Sequence, residues 1–526
     1  MIKVKILFFF ALFLLSFSWL SIIPMWHTPD EQAHFSQVAY LVEMGRNPGG
    51  GVLDTTEEIY VSEQLLGTVR DKVGNNKFTF HPEYKIEYTD SLVGKYEASI
   101  SALTSTNAKN TFVHQEATRY PPAYYIPATW IYQYLYNQDI FTRVFAIRIW
   151  SLLLFILNIC VVYKLGELLF PKDKLLALTI AILVGFQPMM VFSNIGVTSD
   201  SLANLLFSSF LYLCLKLILS RINIKNLTLL LITSFAVINT KIQFIIILPA
   251  LLLLILFLLV RDFKKQQRIN LIGIFILVFF LAILYLYITR FGPFIFTLES
   301  ITKFNIGSFI KFTWEYSLSH TYREVLPWYW GVYDWLGATY PRIVYRIING
   351  ITMVSLIGFI IWFISILRRR LWRNKNIQGI FFLIGISLFY FIAIVVYDWL
   401  SWFQSGFQLG VQGRYFFPLI SIHMIIIMLG WVSLIPNRRS LRDAGLKFLG
   451  LLMIILNAYA FYFFSSIYYN VLSLQKFIIQ ASQYKPWIIK GMFLELLFLI
   501  TLSVLIIFLM KFILYKENKP KSGNKE

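Results

Sequence analysis

Apolar residues in this chain neither alternate nor recur on one helical face. They come in unbroken runs of roughly 17–25 residues, the length of a helix that crosses the hydrocarbon of a bilayer. A helix satisfies its own backbone hydrogen bonds there, whereas an isolated extended run does not. The runs fall near 5–24, 145–165, 174–193, 200–219, 226–240, 242–260, 269–289, 344–366, 377–397, 414–435, 448–467 and 488–512. They predict an all-α polytopic membrane protein with about twelve transmembrane helices. The first run follows Lys3 and Lys5 as a signal peptide would. Ser21-Ile22-Ile23-Pro24-Met25-Trp26 offers no small-residue cleavage pattern, so it reads as an uncleaved span.

Two long interruptions stand out. Residues 25–144 hold many of the polar positions, with Asn47-Pro48-Gly49-Gly50-Gly51 marking a loop. Residues 290–343 are aromatic, with Trp314, Trp328, Tyr329, Trp330, Tyr333 and Trp335. Basic residues fix the expected orientation. With the N-terminus in the cytoplasm, Lys172/Lys174, Arg221/Lys225, Arg261/Lys264/Lys265/Arg268, Arg368/Arg369/Arg370/Arg373/Lys375, Arg438/Arg439/Arg442/Lys447 and the tail from Lys511 to Lys525 all lie on the cytoplasmic side. Both interruptions then become large outward-facing loops, and both termini are cytoplasmic in a plasma-membrane protein. Residues 1–435 read as the functional region containing both loops, and 436–526 as C-terminal helices with a basic tail.

Composition agrees. The 526 residues are 58% hydrophobic and 14% charged, against about 25% charged in soluble domains. The net charge of +20 sits in short clusters between apolar runs, not interleaved with aromatics as a nucleic-acid surface requires. Cys160 and Cys214 both lie in apolar runs, which argues against a disulfide or thiolate metal site.

The chemistry-bearing positions are those that hydropathy does not predict. Asp30-Glu31-Gln32-Ala33-His34-Phe35 follows the first span directly, placing two carboxylates beside lipid, where charge is costly to keep. A carboxylate there can accept the proton of an attacking hydroxyl. The plainer reading is a helix start at Thr28-Pro29-Asp30-Glu31, with acids facing the helix dipole. His27, Glu31 and His34 at i, i+4 and i+7 would share a helical face and, with Asp30, could ligate a divalent metal, although the spacing matches no zinc motif; no cofactor is expected. Arg119-Tyr120-Pro121-Pro122-Ala123-Tyr124-Tyr125 reads as an extended interfacial stretch. Lys241 and Arg414 break the charge rule at outward connections and could hold a lipid phosphate, with headgroup contact as the alternative. Arg414 sits in Gly410-Val411-Gln412-Gly413-Arg414-Tyr415, whose glycines admit close backbone approach. Asn194 and Asp200 face outward between spans, with helix capping at Ser199-Asp200 the simpler account.

Taken in order, Pro29-Asp30-Glu31-Gln32-Ala33-His34-Phe35, Arg119 to Tyr125, Gln187-Pro188 through Asn194 to Asp200-Ser201-Leu202, and Gly410 to Phe416 resemble the GT-C glycosyltransferase superfamily. That superfamily includes protein O-mannosyltransferases and the aminoarabinose transferases of lipid A. More narrowly, these stretches resemble an uncharacterised bacterial family of polytopic membrane proteins linked to surface polysaccharide genes. The resemblance covers the chain to about residue 435. It implies a sugar moved from a polyprenyl-phosphate donor to a cell-surface glycan, lipid or protein acceptor on the outer face. Asp30 matches the catalytic base and Glu31 its neighbour. His34, Arg119, Tyr124, Asn194, Asp200, Lys241, Gln412, Arg414 and Tyr415 become the substrate-binding candidates. Asp30 lacks an Asp-x-Asp partner, so a metal-dependent oligosaccharyltransferase-like mechanism is not implied. A glycolipid transporter or flippase, and a polysaccharide polymerase or ligase, are the alternatives.

Overall fold

The computed structural model describes residues 2–49, 51–70, 76–262, 267–291, 305–436 and 438–516. The fold is nearly all helical. The principal helices are α1 (Ile2–Ile22), α2 (Glu31–Met44), α3 (Tyr125–Tyr134), α4 (Ile140–Leu169), α5 (Lys174–Gly185), α6 (Pro188–Asn194), α7 (Asp200–Leu219), α8 (Ile224–Ile238), α9 (Gln243–Asp262), α10 (Gln267–Phe291), α11 (Arg342–Arg368), α12 (Lys375–Ser405), α13 (Gly413–Ser433), α14 (Arg439–Tyr468) and α15 (Met492–Leu514). Among the described residues, nine of these are long and apolar enough to cross a membrane: α1, α4, α7, α9 and α11 to α15.

Two of the twelve expected spans come out differently. The run near 174–193 is a pair, α5 and α6, bent by 61°. Pro188 supplies no N–H and holds Gln187 in the extended region at φ −65° and ψ 119°, so the helix stops and restarts. The Gln187 side chain caps the restart by accepting from the Met190 N–H. The run near 226–240 becomes α8, of 15 residues, and the run near 269–289 lies within α10, of 25 residues. Fifteen residues rise only about 22 Å, short of a hydrocarbon core of about 30 Å.

The second expected span also begins early. Asp139 caps α4 by accepting from the Thr142 N–H at 2.7 Å, which brings Arg143 and Arg148 inside the helix. The region before it carries α2, α3, shorter helices such as Glu57–Leu65, and a two-residue antiparallel pairing of Thr55–Thr56 with Phe112–Val113. Of the aromatic segment, residues 292–304 lie outside the described residues. The remainder ends in an antiparallel pairing of Val332–Tyr333 with Ala338–Thr339. The two interruptions meet: Lys85 pairs with Asp334 at 2.9 Å, and the Trp335 indole donates to the Trp26 carbonyl at 3.2 Å. Lys264, Lys265 and the tail past residue 516 also lie outside the described residues.

Packing runs unbroken across the expected division at 435. In α14, Asn457 accepts from the Trp19 indole of α1 at 3.0 Å and donates to the Phe186 carbonyl at 2.9 Å. In α15, the Thr501 hydroxyl bonds Ser18 of α1 at 2.9 Å. The core therefore gathers α1, α4, α5, α7, α13 and α14 into one apolar cluster. Glu495, a rare acid in the sequence's apolar runs, lies exposed in the first turn of α15.

Candidate functional site

The two neighbouring carboxylates part company at the start of α2. Asp30 adopts a left-handed backbone, φ 58° and ψ 19°, and its side chain makes no capping hydrogen bond. Aspartate tolerates that conformation better than most residues. The helix does start where the sequence expects, with Asp30 at the N-cap position and Glu31 in the first turn, but the Asp30 carboxylate is committed elsewhere. Oδ2 accepts from Arg414 Nη2 at 2.6 Å, across 384 residues of sequence. Arg414 Nη1 lies 3.7 Å from Asp200 Oδ2, and Lys241 forms an ion pair with the other Asp200 oxygen. Arg414 Nε donates to Gln412 Oε1 at 2.9 Å. Two acids and two bases thus form a charge-balanced quartet, on elements that come from four separate parts of the chain.

Aromatic rings wall the quartet. The Tyr120 ring lies 5.1 Å from the Lys241 ammonium and stacks on His34 at 5.7 Å. Tyr415 lies beside the Arg414 guanidinium, at 5.9 Å. Burial pulls His34 down to about 3, so the ring is neutral near pH 7. Its Nδ1 sits 2.6 Å from the Tyr125 hydroxyl. Burial alone would raise Asp30, but the charge and hydrogen bond of Arg414, with Lys241 behind it, hold the carboxyl below its ordinary value. Burial lowers Lys241, and Asp200 more than offsets it, so the ammonium is kept charged.

Asp30 is 43% exposed, and what it faces is a cavity of about 700 Å³. Arg70, His114, Thr118, Arg119 and Tyr120 line the other walls. Arg119 is thus at the cavity, 3.9 Å from Asp54, and not against the quartet.

Glu31 points the other way. It is fully buried, and each oxygen takes two donors: Arg148 Nε at 2.7 Å and the Val197 N–H at 3.2 Å on one, Arg148 Nη2 at 2.6 Å and the Trp26 N–H at 3.0 Å on the other. Arg148 also donates to the carbonyls of Ile23 and Pro24. Glu31 thus ties the end of α1 to α4 and to the loop before α7, and no lone pair is left for a substrate. Tyr124 belongs to the same supporting layer, bonding Ser151 at 2.8 Å and receiving the Thr198 N–H at 3.2 Å. Asn194 donates to the Met190 carbonyl and accepts from Asn204, at 2.8 Å each, and so closes the end of α6. Two glycines permit the convergence. A Cβ on Gly196 would stand 2.1 Å from the Thr28 hydroxyl, and one on Gly413 would stand 2.2 Å from the Tyr329 backbone nitrogen.

His27, Asp30, Glu31 and His34 do not share one face. The helix begins at Glu31, so His27 lies off it, its ring stacked on Phe78 and edge-on to Tyr468. Asp30 and Glu31 diverge. Among the described residues, no three His, Cys, Asp or Glu side chains converge as a ligand set.

Sequence reasoning missed Arg148, Tyr125, Arg70 and His114. Arg148 carried a signal: a charge inside an apolar run, which is costly unless paired. Tyr125 stood in the Arg119–Tyr125 stretch without a role of its own, and Arg70 and His114 carried no signal.

The family model described as a predicted membrane protein (DUF2142) matches residues 12–423, a span that contains every member of the quartet. No curated protein and no solved structure matches.

Proposed function

This chain belongs to the DUF2142 family of predicted membrane proteins, and from that premise we propose that it is an integral-membrane glycosyltransferase of the GT-C kind. It takes a sugar from a polyprenyl-phosphate donor and passes it to a glycan, lipid or protein acceptor at the outer face of the plasma membrane, with both termini cytoplasmic. The observation that carries the reading is the Asp30–Arg414 pair at 2.6 Å, opening on a cavity and backed by Lys241 and Asp200.

The geometry supports the following reaction. The acceptor hydroxyl oxygen attacks the anomeric carbon as the bond from that carbon to the donor phosphate oxygen breaks. The bonding pair leaves on phosphate, the hydroxyl proton goes to Asp30, and the anomeric centre inverts. Arg414 and Lys241 stabilise the charge that grows on the phosphate. A carboxylate held by arginine is a weak base, and the quartet supplies the remedy. An arriving phosphate competes for Arg414, releases Asp30 from its ion pair, and lets burial raise its basicity. Base strength is thereby coupled to donor binding. Arg119, Tyr120 and Tyr415 orient the sugars, while Glu31 and Tyr124 hold the site in place.

Transfer of radiolabelled sugar from polyprenyl-phosphate donors, in membranes bearing the wild type or Asp30→Asn, tests this. Label is expected in an acceptor with wild type only, with equal amounts of both proteins inserted. Full activity in Asp30→Asn removes Asp30 from its role. One observation favours a second reading, a glycolipid transporter: the broken pair α5/α6 ends beside the site, and interrupted helices are a transporter device. Flipping of a fluorescent glycolipid in proteoliposomes without sugar transfer would select it. A polymerase or ligase would use the same quartet on a longer glycan.

A further inference from the structure

The aromatic segment reaches the site through a histidine that stands apart from the quartet. Residues 306–330 form one continuous helix in which Thr313–Ser317 and Thr321–Val325 are π turns, a rare geometry that is frequent at functional sites. Phe312, Tyr316, His320, Glu324 and Trp328 occupy every fourth position of it. In an unbroken α-helix each such step drifts by about 40°, and the wider π turns take that drift back. The column therefore stays in line. The His320 ring stacks on Tyr316 at 5.2 Å, meets Trp328 edge-on at 6.2 Å, and turns Nδ1 to Glu324 Oε2 at 3.2 Å. Its Nε2 lies 2.9 Å from the Val411 carbonyl. A carbonyl only accepts, so Nε2 carries the proton in that bond.

Val411 belongs to the connection from α12 to α13. Residues 407–412 have neither helix nor strand, and Gly406 and Gly410 take left-handed φ of 75° and 61°, which glycine adopts without strain. Side chains of α12 hold the first half of this connection: Ser405 accepts from the Phe407 N–H at 3.2 Å, and Asp398 accepts from the Leu409 N–H at 2.7 Å. His320 holds the second half at Val411, and Tyr329 of the same helix packs against Gly413. Gln412 lies between those two anchors, and its Oε1 receives Arg414 Nε. Arg414 in turn meets Asp30, whose side chain is 43% exposed. An ion pair that open to solvent is weak unless its partners are held in place.

We infer that His320 is a positioning residue for Arg414: it fixes the Val411 carbonyl, and through it Gln412 and the guanidinium that governs Asp30, while Glu324 and Tyr316 fix the ring. The second outer segment thereby sets the strength of the Asp30–Arg414 pair from outside the cavity. A histidine that only fills space would leave the Asp30 carboxyl indifferent to its replacement. The inference rests on the reading of Asp30 and Arg414 as the working pair, and its test needs no sugar.

The experiment is infrared titration of the Asp30 carboxylate in the full chain in detergent, read as the difference from Asp30→Asn. His320→Leu should move that titration upward by about one pH unit, part of the shift expected when an adjacent arginine is lost. His320→Gln, whose amide nitrogen can still donate to Val411, should leave it near the wild type. His320→Leu/Arg414→Gln should titrate as Arg414→Gln alone, because His320 acts only through the arginine. Glu324→Leu, at a side chain 47% exposed, should give a smaller shift in the same direction, and it carries the test if His320→Leu does not fold. An unmoved titration in whichever of these two variants carries the test overturns the proposal. So does an equal shift in His320→Leu and His320→Gln, or an additive shift in the double variant, which would bring His320 to Asp30 by another route. Sugar transfer that survives Asp30→Asn, with the His320 shift present, overturns the reaction and leaves the positioning role standing.

Discussion

Asp30 and Glu31 differ by one methylene and one position, yet their surroundings give them opposite tasks. The Glu31–Arg148 pair is wholly buried, so Glu31→Gln leaves a guanidinium with no counter-charge in a dry environment. A loss of about 3–5 kcal/mol is expected, because an orphaned buried charge costs far more than the pair contributed. Glu31→Gln/Arg148→Met should recover most of it. Melting of the three proteins in one detergent checks this, and additive losses would remove Glu31 from its supporting role. Asp30 behaves differently, because it faces an open cavity and is governed by Arg414. Its depressed pKa keeps it ionised down through the ordinary carboxylate range, and whatever the ion pair contributes is lost only as pH falls through that lowered value. In Arg414→Gln burial is opposed chiefly by Lys241 alone, so the titration should move upward in pH. Infrared titration of the Asp30 carboxylate band, read as the difference from Asp30→Asn, measures this without turnover. An unmoved band would mean that Arg414 does not control the base. Asp30, Asp200, Lys241 and Arg414 were legible in the sequence because charge stood where hydropathy expected none. The division of labour between Asp30 and Glu31 was not legible, since it depends on a left-handed backbone and on an arginine 117 residues away from Glu31.

At the scale of elements, apolar run length located the helices but not their breaks. Nothing in the composition of residues 174–193 separates a straight span from α5 and α6; the Gln187-Pro188 dipeptide does, through the backbone it imposes. A break at membrane depth frees backbone carbonyls that neighbouring helices must satisfy. Asn457 of α14 does so for Phe186, and it also receives the Trp19 indole of α1. One amide therefore joins three helices at the point where the chain bends toward Asn194 and Asp200. Asn457→Leu keeps the volume and removes both bonds, which leaves a buried carbonyl and a buried indole N–H without partners. The expected cost is about 2–4 kcal/mol in a detergent melt, from two unsatisfied groups. A change below about 0.5 kcal/mol, the usual scale of neutral surface substitutions, would show that the break is held by other contacts.

At the scale of the whole molecule, packing contacts continue past the point where the motifs end. The stretches that carry the chemistry stop near residue 435 and the family match stops at 423, which suggests a functional region followed by an appendix. The packing ties the two together. Helices α14 and α15 cover α1 through Asn457 and Thr501, and the segment between them grips the end of α1 and the region before α4: the Tyr469 hydroxyl donates to the Ile22 carbonyl at 2.7 Å, and Glu97 pairs with Lys490 and accepts from the Tyr484 N–H at 2.8 Å. Lipid tails are as apolar as leucine, so helices associate in a bilayer through such polar ties and close packing, not through a hydrophobic drive. A chain ending at residue 435 keeps the whole quartet but loses every one of these ties. It should be degraded or aggregate on detergent extraction. Co-expression of 1–435 with 436–526 should restore a monodisperse complex, because the missing contacts lie on the helices of the second piece. Size-exclusion chromatography of the extracted proteins distinguishes the outcomes. A monodisperse 1–435 on its own would show that the C-terminal helices are dispensable for folding, and that the motif boundary is also the structural one.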